Sequence, residues 1–416
     1  MGWAWAYLVV TLIGAAFVVN AYLPVRAEWL AVPSFFAGWP TGELPIWHIG
    51  WQAVATAFFV SEGVLGHWPG WIGLALSVVS WAGLVVLAVQ AARANTVLGR
   101  AAEEVPLPAV PEGLDLPASG RATMWRFTRL LYPFPRPARS VRVHRNLDYV
   151  GDGIRRHRLD VIVRRVDPPQ GAPVLLYIHG GAWVIGDKMQ QGLPMLNEFA
   201  RRGWVTVTIN YRLSPRATWP DHLVDCKRAL AWVREHIADY GGDPGFIAVS
   251  GGSAGGHLAS MVALTAADKS LQPGFEDRDV SVDACVPFYG VYDFTGGGEN
   301  EKYAEGMRDL LGKYVMKRSF AEAPEAYRDA SPLFRITPEA PPFFVLHGTN
   351  DTLVPVDEAR RFVAALRAAS PEPVVYAELP LTQHAFDVLP SVRCAHAVAA
   401  VVRFAEGVRY RTHHPQ

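Results

Sequence analysis

The chain has 416 residues, with 39 Lys plus Arg balanced by 39 Asp plus Glu, so its formal net charge is zero. That length suits two structural units rather than one, and the charge balance excludes a global attraction to nucleic acid. The three cysteines, Cys226, Cys285 and Cys394, show neither C-x-x-C nor Cys/His metal spacing. They read as small buried apolar groups and not as a disulfide framework or a zinc site.

Charge is unevenly spread along the chain. Residues 1–92 carry four charged side chains, Arg26, Glu28, Glu43 and Glu62, yet hold nine of the fourteen Trp. Trp3 to Val25 contains no Asp, Glu, Lys or Arg, and about 20 apolar residues in helix cross a hydrocarbon core. Trp47 to Ser61 is a shorter run and Trp71 to Ala92 a full-length one. Trp3, Trp5, Trp29, Trp47, Trp68 and Trp71 lie near the ends of these runs, where indole rings favour the headgroup region. Met1-Gly2-Trp3 lacks the basic start of a signal peptide. A buried core helix is the competing reading, but one soluble domain does not easily hide three such runs. Residues 1–92 are therefore expected to be an all-α transmembrane segment of two to three spans.

Residues 93–140 read as a basic, Pro-containing linker. Arg93 and Arg100 follow the last apolar run, and twelve Arg face three Asp between Arg121 and Arg165. Positive flanks stay cytoplasmic, so a multi-pass protein of the cell membrane with its C-terminal domain inside the cell is expected. Arg126, Arg129, Arg136 and Arg139, interleaved with Trp125, Phe127, Leu130, Leu131 and Phe134, would suit an anionic leaflet or equally a solvated face. Pro106, Pro108, Pro111 and Pro117 give the stretch before them an extended, coreless composition.

From residue 141 to 416 short β-rich runs alternate with helical ones. Residues 174–178, 205–209, 246–250, 342–346 and 374–376 read as strands, and 222–240 and 357–369 as helices. The alternation predicts an α/β domain with a mostly parallel sheet and helices on both faces. Ligand sites in such sheets lie at the carboxyl ends of the strands.

Four segments at strand ends carry chemistry. Gly251-Gly252-Ser253-Ala254-Gly255 is G-x-S-x-G between a strand and a helix, the setting of an exposed nucleophilic serine; a phosphate loop is the rival, but no Lys follows at the required spacing. His179-Gly180-Gly181-Ala182-Trp183 follows an earlier strand. There the N–H groups of Gly180 and Gly181, with that of Ala254, would form an oxyanion hole, and His179 would anchor the loop. Asp351 follows the strand at 342–346, and His384 comes 33 residues later. Each alone reads as a turn Asp or a structural His. The chain order Ser253, Asp351, His384 is that of a Ser-Asp-His triad on this fold.

The stretch from Tyr177 to about Val388 resembles the hormone-sensitive-lipase-like group of α/β-hydrolase carboxylesterases. It is also similar to kynurenine-formamidase and prenylcysteine-methylesterase-like enzymes. The carriers are the HGG turn, Asn210-Tyr211-Arg212-Leu213-Ser214-Pro215, Gly242-Asp243-Pro244, and Asp351 and His384 at triad positions. Membrane-tethered esterases of actinobacterial type share the layout of apolar helices before the hydrolase domain. Two departures are HGGA in place of HGGG, and Gly252 where the elbow usually carries Asp. The resemblance implies ester hydrolysis through an acyl-enzyme, without metal or organic cofactor. Trp183, Tyr289 and Phe386, with Phe288 and Tyr292, are expected to line an apolar substrate pocket, and residues 296–330 to form a cap. The implied partners are a small-molecule or lipid ester and the membrane. An amidase, formamidase or prenylcysteine methylesterase would share the triad, and a non-catalytic receptor or scaffold would keep only the fold. A transporter is disfavoured, since the apolar runs offer His48 and His67 but no acidic or basic pathway.

Overall fold

The computed structural model describes residues 1–105, 133–298 and 301–413. The aromatic and basic stretch from Trp125 to Leu131 lies outside the described residues.

The N-terminal third is four apolar helices: α1 (Gly2–Tyr22), α2 (Glu28–Glu43), α3 (Pro45–Ser61) and α4 (Trp68–Glu103). Proline near the first position starts α3 and α4, where the missing N–H costs nothing. Glycines let α1 and α4 approach closely: a Cβ on Gly73 would sit 2.8 Å from the Tyr7 ring, and one on Gly83 2.8 Å from Val18. These pairings make α1 and α4 parallel. Trp3 lies against Phe58 and Phe59, and Phe17 against His48, so α3 runs antiparallel to α1. Hydroxyls between the helices pair with one another, Tyr7 Oη donating to Thr56 Oγ1 at 3.2 Å. The outward side chains are apolar, Val54 and Val79 being 72% and 69% exposed. Helices α1 and α4 are long and apolar enough to cross a membrane; α3, at 17 residues, is slightly shorter.

Helix α4 does not stop at the expected boundary of residue 92. It continues to Glu103, and Ala94, Leu98 and Ala101 are buried in the core of the following domain. The small side chains on that face let a helix lie flat where a linker was expected.

The C-terminal unit is an eight-stranded sheet ordered β1-β2-β4-β3-β5-β6-β7-β8. The strands are β1 (Val141–Asp148), β2 (Arg158–Arg164), β3 (Ala172–Ile178), β4 (Val205–Ile209), β5 (Gly242–Gly252), β6 (Ala284–Phe288), β7 (Phe343–Gly348) and β8 (Val374–Leu379). β2 pairs antiparallel with β1 and β4; every other pairing is parallel. The helices are α5 (Leu193–Arg201), α6 (Asp221–His236), α7 (Ala254–Leu264), α8 (Glu301–Leu310), α9 (Pro324–Asp329), α10 (Val356–Ala369) and α11 (Val392–His413). Period-2 alternation divides β3 between two cores: Val174, Leu176 and Ile178 face α6, α7 and α10, while Leu175 and Tyr177 face α5, α11 and the end of α4. Cover on both faces is why these strands read as continuous apolar runs. Helices α8 and α9 occupy the stretch expected to form a cap.

The helical bundle stands on the carboxyl ends of β7 and β8. Asn350 Nδ2 donates to the Ala21 carbonyl at 2.8 Å, Arg26 to that of Thr349 at 2.8 Å, and Thr352 Oγ1 to that of Ala31 at 3.0 Å. At the end of α2, Glu43 forms a buried ion pair with Arg393 and accepts from Ser391 Oγ at 2.6 Å. Removing one partner of such a pair strands a buried charge, so Arg393→Met should cost about 3–5 kcal/mol of stability. Thermal unfolding in detergent reads this, and adding Glu43→Gln should recover most of the loss; a single-variant cost below about 1 kcal/mol would contradict the argument.

Candidate active site

Ser253 sits between the end of β5 and the start of α7 with φ 57° and ψ −124°. Such a conformation costs about 1–3 kcal/mol and persists only where the surroundings enforce it. They do so by crowding. A Cβ on Gly255 would lie 2.1 Å from the Ile178 carbonyl oxygen, and one on Gly251 2.4 Å from that of Gly255. Only glycine fits at either position, and the turn pushes the serine side chain clear of the sheet. Ser253 is half-buried in an otherwise buried run, and its N–H donates to the Phe288 carbonyl at 3.0 Å.

His384 and Asp351 meet directly, with Nδ1 2.6 Å from Oδ2. The other carboxylate oxygen accepts from the N–H groups of Leu353 and Val354, both at 2.8 Å. Burial alone would raise the Asp351 pKa. The adjacent His384 and the bond from His347 outweigh burial and hold the carboxyl well below its usual range. An ionised Asp351 accepts the Nδ1 proton, leaving Nε2 as the basic nitrogen. Gln383 Oε1 accepts from both His384 N–H and Thr352 N–H at 2.9 Å, fastening the histidine loop to the aspartate loop. Tyr289 links the two halves of the site: its ring lies 4.4 Å from that of His384, and its hydroxyl lies 2.8 Å from where a Gly252 Cβ would be. Among the described residues His384 has no hydrogen bond to Ser253 Oγ; such contacts often tighten only when substrate binds.

The glycine loop after β3 lies against the serine turn, a Cβ on Gly180 falling 3.1 Å from Ser253 Cβ. His179 is buried, donates Nδ1 to the Gly180 carbonyl at 2.8 Å, and stacks on Tyr211 at 4.5 Å. Burial lowers its pKa to about 4, so it is neutral and structural. The N–H groups expected as oxyanion donors differ in whether they already have an acceptor. Gly180 N–H already donates to Gln191 Oε1 at 2.7 Å, whereas the N–H groups of Gly181, Ala182 and Ala254 have no acceptor among the described residues. Gly181, Ala182 and Trp183 have φ of 120°, 51° and 60°, a run that turns successive N–H groups to one side.

The aromatic residues expected in a pocket are placed differently. Trp183 is buried against His257 and Phe294, each 5.1 Å away, and donates Nε1 to His257 Nδ1. Phe386 is buried between Phe288 and Tyr289. Of the three, only Tyr289 touches the His384 ring. A residue absent from the sequence reading does approach it: Phe35 on α2, edge-on at 6.0 Å and stacked on Trp39 at 5.4 Å.

Glu358 on α10 holds the backbone after β6, accepting from Tyr292 N–H at 2.8 Å and from Tyr303 Oη of α8 at 2.9 Å. Burial raises its pKa to about 7. The folded state therefore holds this proton more tightly than the unfolded chain. Its contribution is greatest below the ordinary value of 4.5 and is lost as pH rises to about 7, a difference of about 3 kcal/mol. Glu358→Gln should flatten that part of the profile, with a gain in thermal midpoint at pH 8 and none at pH 4.5; equal effects at both would refute it.

The family model described as BD-FAE matches residues 159–366. The chain is 44% identical over 422 aligned residues to the probable carboxylic ester hydrolase LipM of Mycobacterium tuberculosis, covering 98% of this chain and 94% of that protein. It is 50% identical to the esterase LipQ of the same organism, over 62% of this chain and 61% of that one. A solved truncated carbohydrate esterase from gut microbiota aligns with TM-score 0.55 and 22% identity, over 65% of this chain and 99% of its own, and shares the fold. With the serine turn, the His–Asp pair and the glycine loop gathered at the same strand ends, and with a relative similar from end to end, the chain belongs to the BD-FAE family of α/β-hydrolase-fold ester hydrolases.

Proposed function

We propose that Ser253, His384 and Asp351 are the catalytic triad of a serine carboxylesterase. The observation that carries this is the 2.6 Å contact between His384 and a buried Asp351, at the strand ends that also hold Ser253. His384 Nε2 takes the hydroxyl proton as Ser253 Oγ attacks the ester carbonyl. The tetrahedral oxygen is held by the N–H groups of Gly181, Ala182 and Ala254, with Gly180 bound instead to Gln191. The histidine returns the proton to the leaving alcohol, and water hydrolyses the acyl-enzyme by the same steps in reverse. Asp351 keeps the imidazole in the required tautomer throughout.

The chain is organised as a helical membrane unit, a basic connector and a catalytic domain from residue 141. Supporting this are apolar exposed faces on α1, α3 and α4 and two groups of exposed indoles, Trp3, Trp5, Trp68 and Trp71 at one end and Trp29 and Trp47 at the other. Three spans put the catalytic domain opposite the N-terminus, and the basic flank favours the cytoplasm. Labelling of a cysteine introduced at an exposed position of the domain checks the side.

A fluorophosphonate probe tests the chemistry. It should label purified protein stoichiometrically at the tryptic peptide carrying Ser253, with p-nitrophenyl ester turnover lost in parallel; labelling elsewhere, or turnover that survives full labelling, overturns the assignment. A panel adding amide, formamide and prenylcysteine methyl ester substrates separates the enzymes that would share this triad.

A further inference from the structure

The triad reading leaves open what ester reaches Ser253, and the bundle bears on that. Helix α2 carries no charged side chain between its ends, and its two hydroxyls, Ser34 and Thr41, are buried and hydrogen-bonded within the helical unit. Its inner face places Phe35 edge-on to the His384 ring and Gly38 beside Gln383, while Trp29, Val32 and Phe36 on its outer face are 77%, 51% and 61% exposed. Charged side chains occur in it only at the two ends, Glu28 and Glu43. A helix uncharged on both faces suits two apolar surroundings; here one is the His384 ring that Phe35 meets and the other is the outward side carrying Trp29, Val32 and Phe36. Both loops that supply the acid and the base are bonded to the same unit, Asn350 and Thr352 to the carbonyls of Ala21 and Ala31, and Ser391 to Glu43. The site therefore lies against the apolar helical unit.

Resting on the triad reading, we infer that α2 roofs the acyl-binding site, that Phe35 is a specificity-determining wall, and that the substrate is a long-chain ester dissolved in the bilayer. Its carbonyl is presented at Ser253 while its chain lies along α2, in contact with Phe35. A ring at this position discriminates by chain length, because the apolar area that an acyl chain buries against it grows with each methylene.

The test uses the full-length protein in phosphatidylcholine nanodiscs with two substrates, water-soluble p-nitrophenyl butyrate and bilayer-resident p-nitrophenyl palmitate. Phe35→Ala should lower kcat/KM for palmitate by about tenfold or more, leave butyrate within about threefold, and leave fluorophosphonate labelling of Ser253 unchanged. Phe35→Leu, which restores apolar bulk, should recover most of the palmitate rate. The inference fails if Phe35→Ala leaves palmitate turnover intact. It fails equally if both substrates and the labelling decline together, since Phe35 then only supports His384. Persistence of either activity in Ser253→Ala would instead remove the triad reading, a result independent of Phe35.

Discussion

Ser253→Ala should lower kcat for a p-nitrophenyl ester by about a millionfold, the loss seen when a triad serine is removed elsewhere. KM should change little, because the hydroxyl acts on the transition state and contributes little to ground-state binding. Alanine adds no bulk to the turn, so the fold should persist, and the thermal midpoint should stay the same or rise as a polar group leaves a strained position. Steady-state kinetics on freshly purified variant, with a mock purification as blank, is the decisive measurement. Residual activity within about a hundredfold of wild type would mean that another nucleophile does the work.

Asp351→Asn should lower kcat by about ten-thousandfold, for a reason specific to this site. The oxygen facing Leu353 and Val354 accepts two backbone N–H bonds, so an amide at this position must keep its carbonyl there. Its NH2 group then faces His384 Nδ1 and forces that nitrogen to accept. Nε2 becomes the protonated nitrogen and cannot take the serine proton. Rapid labelling of Ser253 by fluorophosphonate should slow in proportion to kcat, since it needs the same proton transfer. A loss smaller than about tenfold would show that the carboxylate neither sets the tautomer nor stabilises the imidazolium.

What could be read from the chain was local. The elbow at 251–255 is legible because steric crowding by neighbours in sequence and in the adjacent strand demands glycine there. The order of Ser253, Asp351 and His384 follows the order of strands β5, β7 and β8. Strand Val205–Ile209 matches its expected limits because both faces are covered. Contacts across long separations were not legible. Nothing near residue 35 announces a ring beside residue 384, and residues 28–43 fall between the apolar runs read as spans. Gln191 captures Gly180 N–H across eleven residues, through a polar side chain with no pattern of its own. Trp183 adjoins the glycine loop in sequence, yet its φ of 60° swings the ring into the core.

Helix α4 has a mechanical consequence. Its 36 residues span roughly 54 Å at 1.5 Å each, and a hydrocarbon core takes about 30 Å of that. The remainder is packed into the hydrolase core through Ala94, Leu98 and Ala101, so with α4 inserted the catalytic domain has no leash on which to swing. In that arrangement its distance and tilt over the lipid surface would be fixed, and an ester dissolved in the bilayer would meet the enzyme by gliding in the same plane. Turnover should then follow the ester's mole fraction among the lipids: adding inert lipid at constant ester per millilitre should slow the reaction, as surface dilution does.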